Sequence, residues 1–197
     1  MLLKELQNRK VILASQSPRR HELLAGMGVV FEVMKTDVEE TYDPSWNPEE
    51  IVMHLSKLKL STIDMSQYPI DTIFIACDTI VVINGQIIGK PKDEKDAKRM
   101  LRMLSCNTHT VYSGLTVATP QKQLTDYRST DVVFETLSDE MIQYYIDTYK
   151  PFDKAGSYGV QEWIGRVGIR EVRGSFYNVM GLPTRLLWQM LEQITLP

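Results

Sequence analysis

Ser15-Gln16-Ser17-Pro18-Arg19-Arg20 sets two guanidinium groups in what reads as the first turn of a helix, just after two small hydroxyl residues. Cations there oppose a macrodipole that is already positive at its N-terminus, at a cost of ~0.3 kcal/mol per charge. A bound anion reverses the sign, because backbone N–H groups, the dipole and both guanidinium forks then favour phosphate. Alone, such a pair would be solvated or bonded to Glu22; the strand and capped helix start around it favour the anion. A second position is Asp78, a carboxylate inside the otherwise apolar, β-branched run 72–83. Burying it unpaired would cost several kcal/mol, so it either bonds a turn or faces a cleft as an acid, acting as general base toward water, metal ligand or both.

Two further stretches carry polar groups with a plausible use. Lys90, in Gly89-Lys90-Pro91, stands beyond the Asn84-Gly85 turn of the hairpin that contains Asp78. Counting pairs back from that turn sets Thr79 opposite Lys90 and puts Asp78 on the other face. A shared site for Asp78 and Lys90 therefore needs a bulge or a splayed strand end. The stretch Asp153-Lys154-Ala155-Gly156-Ser157-Tyr158-Gly159-Val160-Gln161 offers two glycines for close backbone approach. Gln161 ends it with a donor and an acceptor able to read a base edge, though by itself the stretch reads as a connecting loop.

The elements that must position these groups follow from periodicity and punctuation. Val11-Ile12-Leu13-Ala14 reads as a buried strand, and Ser17 and Pro18 start a helix to about Ala25, ended by Gly26 and Gly28. Asn47-Pro48-Glu49-Glu50 starts another, with Ile51, Leu55 and Leu58 as its buried stripe. A strand from Thr72 to Cys77, interrupted at Asp78, resumes over 79–83 and turns at Asn84-Gly85. Asp93 to Leu104 forms an amphipathic helix with Ala97, Met100, Leu101 and Leu104 inward. His109–Thr119 and Gln123–Thr136 form a long hairpin. A helix runs from Ser138 to about Thr148, a strand from Val167 to Val172, and a last helix from near Pro183 carries Leu186, Leu187, Met190, Leu191 and Ile194. The mixture lacks a regular βαβ repeat, which predicts α/β or α+β with a mixed sheet.

Bulk properties narrow the function. A net charge of −3 provides no global field for nucleic acid or anionic lipid, so a polyanionic ligand must be held by a few placed cations. Two cysteines without close spacing and three scattered histidines offer neither a disulfide framework nor a zinc spacing, so any metal is a hard, oxygen-bound ion. The sequence has no run of eighteen apolar residues, and its first residues lack the features of a secretory signal; the expected location is the cytoplasm, with no membrane association.

Together these stretches resemble the Maf family of nucleotide pyrophosphatases. The likeness runs through Leu13–Leu24, Cys77-Asp78-Thr79-Ile80-Val81, Gly89-Lys90-Pro91, Leu104-Ser105 with His109 and Val111, 153–161, and 174–183. It implies a single domain over 1–197 with an elongated mixed sheet flanked by helices, two lobes and a central cleft, related to the inosine triphosphate pyrophosphatases. It also implies hydrolysis of a nucleoside triphosphate to monophosphate and pyrophosphate with Mg²⁺ or Mn²⁺, and a homodimer. By position, Asp78 matches the proton acceptor. Arg19, Thr79 and Gln161 match positions that set base preference, and Ser15, Arg20, Lys59 and Lys90 match phosphate contacts. Asp78 and Glu40 match the metal-holding acids. The Arg-Arg pair and Gln161 resemble the branch acting on dTTP and UTP. Cys77, Cys106 and Ser157 depart from the usual small residues without removing a charge.

The expected mechanism has the cations hold the triphosphate while Asp78 takes a proton from the water attacking the α phosphorus. One rival is an aspartyl-phosphate phosphatase, which usually needs a second Asp where Ile80 stands. Another is a non-catalytic nucleotide-binding regulator of cell division, which would need the cations but not the base.

Overall fold

The computed structural model describes residues 2–195. In chain order the elements are α1 (Leu2–Gln7), β1 (Val11–Leu13), α2 (Pro18–Gly26), β2 (Glu32–Val33), α3 (Pro48–Ser61), β3 (Ile73–Ile83), β4 (Gln86–Ile88), α4 (Glu94–Leu104), β5 (Thr108–Ala118), β6 (Gln123–Phe134), α5 (Asp139–Tyr149), α6 (Trp163–Val167), β7 (Ile169–Arg173), α7 (Phe176–Val179) and α8 (Thr184–Thr195). Seven strands form one sheet in the order β2-β1-β3-β5-β6-β7, with β4 paired to β3. The sheet is mixed, as expected: β1 runs parallel to β2 and β3, whereas β3/β4 and β6/β7 are antiparallel.

The chain divides into two compact units. The first comprises Met1–Asp78, Ser113–Arg128 and Gly181–Pro197; the second comprises Thr79–Tyr112 and Ser129–Met180. In the first, Ile12, Ala14, Leu60, Phe74, Ala76 and Ala118 make a buried cluster, with Met34, Ile63, Met65 and Tyr68 packed against it. In the second, α4 and α5 pack together, burying Ala97, Met100, Leu101 and Leu104 against Ile142, Tyr145 and Ile146.

Local chemistry explains the elements nearest the candidate residues. Asn47 caps α3 in a full capping box with Glu50, and Pro48 occupies the first helical turn. The helix then lies close on β5: a Cβ at Gly114 would come within 2.0 Å of the Val52 carbonyl oxygen, so only glycine permits this approach. Ser56 Oγ and Thr116 Oγ1 add a 2.8 Å hydrogen bond between the same two elements. The buried face of α3 is wider than the expected stripe. Ile51, Val52, Leu55, Ser56, Lys59 and Leu60 are buried, whereas Leu58 is only half-buried.

β3 is one uninterrupted strand, against the expectation of a break at Asp78, because the ladder is made by backbone groups and tolerates a carboxylate that finds a partner. Asn84 and Gly85, at φ 51° and 73°, form the expected tight turn. The pairs Val81↔Ile88, Val82↔Ile87 and Ile83↔Gln86 keep the counted register, but the ladder stops at Ile88. The Gly89 carbonyl instead accepts a 3.0 Å bond from Gly156 N–H, so β4 leaves β3 there.

Candidate active site

Six of the residues singled out by sequence lie in the first unit: Ser15, Arg19, Arg20, Glu40, Lys59 and Asp78. β1 pairs with β3 only as far as Leu13↔Ile75, and β4 pairs with β3 only from Val81 onward. Asp78 therefore falls in a stretch of β3 that neither strand covers. The chain leaves β1 at Ala14, whose N–H still bonds the Ile75 carbonyl at 2.8 Å, and enters α2 through Ser15, Gln16 and Ser17. With β2 on one side of β1 and β3 on the other, this exit is a topological switch point, the place where open α/β sheets hold ligands.

Ser15 organises the start of α2. Its buried hydroxyl accepts from Ser17 N–H and from Arg20 Nη1, both at 3.3 Å, and its carbonyl lies 2.7 Å from His21 Nε2. Ser17 sits at the N-cap with extended backbone but makes no side-chain cap bond, so the first turn is left to other acceptors. Arg20 also donates from Nε to the Gly181 carbonyl at 2.8 Å, and the Cys77 thiol donates to the same oxygen at 3.2 Å. One carbonyl thus ties the Arg20 guanidinium to the residue next to Asp78. Arg19 is half-buried on the same turn.

Asp78 is 6% exposed and Lys59 is 9% exposed. The Lys59 ammonium bonds Asp78 Oδ1 directly and lies 3.0 Å from Glu40 Oε1. Asp78 is therefore paired and its side chain keeps 9% exposure, while the other carboxylate on the same ammonium, Glu40, has a side chain 54% exposed. Lys59, matched by resemblance to a phosphate contact, is here held between two carboxylates. Among the described residues no group of three or more His, Cys, Asp or Glu side chains converges as a metal site. Two hard oxygen donors meeting on one positive charge do fit a divalent cation that takes its other ligands from phosphate and water.

Thr79, Lys90 and Gln161 lie in the second unit. Thr79 and Gln161 are half-buried and Lys90 is exposed. The Gly89–Gly156 bond sets the Lys90 segment beside the loop that ends in Gln161. Gln161 Oε1 is buried without a hydrogen-bond partner, as is Ser157 Oγ. A buried acceptor left this way costs about 1–3 kcal/mol, which a ligand N–H would recover.

That loop is held by a cluster that sequence reasoning missed. Buried Lys154 pairs with Asp153 Oδ1 at 2.8 Å and Glu162 Oε1 at 3.1 Å. The Tyr145 hydroxyl donates to Glu162 Oε2 and accepts from Gly159 N–H at 2.9 Å. Burial and the Glu162 carboxylate hold the Tyr145 hydroxyl protonated, well above the usual phenol range. His109 shares a 2.7 Å hydrogen bond with the Tyr158 hydroxyl and packs on Phe134; burial lowers its pKa to about 4, against a smaller opposing pull from Asp131. The only sequence signal for this cluster is a pair of charges, at 154 and 162, bracketing a glycine-bearing loop.

A family profile described as Maf-like protein matches residues 10–194. The dTTP/UTP pyrophosphatase of Phocaeicola vulgatus is 45% identical over 98% of this chain and 100% of its own length. Proteins of the same name from Cytophaga hutchinsonii and Porphyromonas gingivalis are 45% and 44% identical, over 100% and 97% of this chain and 89% and 97% of theirs. Among solved structures, the Staphylococcus aureus Ham1 protein superposes with a TM-score of 0.52 at 14% identity, over 94% of this chain and 99% of that one. That likeness concerns the fold.

Proposed function

The chain belongs to the Maf-like family, and from that premise we infer that it is a nucleoside triphosphate pyrophosphatase acting on dTTP and UTP. The bond broken is the α–β phosphoanhydride, and the products are the nucleoside monophosphate and pyrophosphate. The observation that carries the reading is Asp78: a buried carboxylate on β3 between the end of its pairing with β1 and the start of its pairing with β4, held by a buried lysine and tied through the Gly181 carbonyl to the Arg20 turn. A sheet interior retains such an acid only when it is satisfied, and the partners present are those that a polyphosphate site needs.

In this reading Asp78 takes the proton of the water that attacks the α phosphorus. Arg19, Arg20 and Ser15 hold phosphate at the N-terminus of α2, where dipole and guanidinium forks act together, and offset charge building on the leaving pyrophosphate. The resemblance gives Lys59 and Lys90 phosphate-contacting roles as well. Thr79, Arg19 and Gln161 keep the base-selecting roles that the resemblance implies. The unpartnered Gln161 oxygen supports this, since the ring N–H of thymine or uracil is the donor it lacks. Asp78 and Glu40 are the residues that would hold Mg²⁺ or Mn²⁺, which supplies charge neutralisation and a more acidic water when bound. We take residues 1–197 as one domain, a reading supported by a single family match that runs through segments of both units. We place its action in the cytoplasm, without nucleic-acid or membrane partners and as a homodimer; no described helix is long and apolar enough to cross a membrane.

The test is product analysis. Purified protein with dTTP or UTP and Mg²⁺ or Mn²⁺ is expected to release pyrophosphate and the monophosphate in equal amounts. Release of inorganic phosphate instead would point to the aspartyl-phosphate chemistry, and binding without turnover to a regulator.

A further inference from the structure

Lys59 bonds both carboxylates at once, and they are the two residues assigned above to the divalent cation. An ammonium and a divalent cation cannot occupy the same carboxylate oxygens together, since each would face the other's charge at contact distance. Geometry fixes where Lys59 starts. It projects from the last turn of α3, a helix pinned to β5 by the Gly114–Val52 contact and the Ser56–Thr116 bond, so its backbone cannot withdraw far. The four-carbon stem can still swing the ammonium to another anion. Glu40 lies in a stretch, 34–47, without helix or strand, and its side chain is 54% exposed.

We propose that Lys59 is an internal competitor for the divalent cation, drawn off Asp78 and Glu40 by the substrate's phosphates, so that cation and nucleotide bind with positive coupling. This rests on the function inferred above. The phosphates do two things at once: they provide Lys59 with a second anion, and they bring oxygen ligands to a site where, among the described residues, no third His, Cys, Asp or Glu joins the two carboxylates. The first effect depends on Lys59 and the second does not, which makes the share due to Lys59 measurable. By reciprocity, the factor by which nucleotide tightens the cation equals the factor by which the cation tightens nucleotide. The consequence is a site that resists loading with cation alone and fills when the triphosphate arrives.

The experiment measures Mn²⁺ binding to the full chain, by calorimetry and by the spin-resonance signal of free Mn²⁺, with and without the α,β-methylene analogue of dTTP. Lys59→Met and Lys59→Gln are compared with the unaltered protein, and Asp78→Asn serves as reference; circular dichroism checks that each variant folds. Without nucleotide, both Lys59 variants are expected to bind Mn²⁺ at least about tenfold more tightly, a modest fraction of what a contact charge pair is worth at an effective dielectric of about 20. The factor by which the analogue tightens Mn²⁺ should shrink in the same variants. Unchanged or weaker Mn²⁺ binding by both Lys59 variants, while Asp78→Asn still weakens it, would overturn the exchange and leave the carboxylate assignment standing. If Asp78→Asn leaves Mn²⁺ binding untouched, the assignment itself fails and the exchange with it.

Discussion

Among the described residues two lysines are buried, each between two carboxylates, one in each unit. Lys59 contacts Asp78 and Glu40; Lys154 contacts Glu162 and Asp153. In each set one acid is largely buried and the other has a side chain more than half exposed. By composition the two sets are nearly the same, yet their surroundings differ. The Lys154 set continues through Glu162 into the Tyr145 hydroxyl and the Gly159 N–H, and so into the backbone of the loop it braces. Asp153 is the chain neighbour of Lys154. The Lys59 set joins a helix, a strand and an irregular stretch far apart in sequence, and its exposed arm, Glu40, belongs to that irregular stretch. A buried charge cluster whose bonds run on into its own backbone serves structure; one that joins a helix and a strand to a carboxylate in an irregular stretch can exchange partners.

The same substitution in each set gives the sharpest contrast. Glu162→Gln leaves Lys154 buried with one exposed partner and takes the charge from the Tyr145 bond, so it is expected to cost about 3 kcal/mol, the lower end for breaking a buried pair. Denaturant unfolding would register this as a lower midpoint at unchanged m. A cost below about 1 kcal/mol would place the Lys154 set with ordinary surface pairs.

The Lys154 loop should also be sensitive to acid, because it carries Tyr158, the partner of His109. Burial holds the His109 pKa at about 4 in the folded state, below its ordinary 6.5, so between those values the unfolded chain binds more protons. Stability from this group is complete above pH 6.5 and is lost as pH falls towards 4, by up to about 3 kcal/mol. His109→Gln cannot titrate, so it should flatten the fall in unfolding free energy between pH 6.5 and 4. An equally steep fall in that variant would assign the acid sensitivity to other groups.

How far the sequence foretold these regions depends on the range of each signal. The start of α2, the Asn47-Pro48 start of α3, the Asn84-Gly85 turn and the inward face of α4 are set by residues within one or two turns of each other, and all are present. α6 and α7 are too short for any period to show, and the strand expected from Val167 begins at Ile169 because residues 163–167 wind into α6. Ile194 is half-buried, with Thr195 turned inward in its place. Asp78 was legible as an anomaly in a β-branched run, but its bond to Lys59 was not. A lysine at the edge of an apolar stripe looks like a surface residue until the strand behind it supplies a carboxylate. The cluster that joins Lys154, Glu162 and Tyr145 stayed hidden for the same reason, since only the packing of α5 against the loop brings these residues together.

Within the Lys59 set, Asp78→Asn removes the proposed proton acceptor while keeping size and one acceptor oxygen. Turnover of dTTP is expected to fall about 10²-fold or more, equivalent to about 2.7 kcal/mol of barrier, with binding of the α,β-methylene analogue, measured without divalent cation, largely retained. Unchanged kcat would remove Asp78 from proton transfer and with it the functional half of the contrast.

Glu40→Gln should give the smallest change in stability and is set against Glu162→Gln, at the buried acid of the other set. Glu40 is more than half exposed and its pair with Lys59 is screened by water on one side, so the expected cost lies within about 0.5 kcal/mol. The loss should appear in ligand binding instead: with one carboxylate left, Mn²⁺ affinity falls in the presence of the nucleotide analogue while the unfolding midpoint scarcely moves. The same pair of measurements on Glu162→Gln should show the reverse order, a lowered midpoint with Mn²⁺ affinity kept in the protein that remains folded. Equal losses of stability at 40 and 162 would mean that both lysines are structural, and that the open arm of the Lys59 set is held as firmly as the closed one.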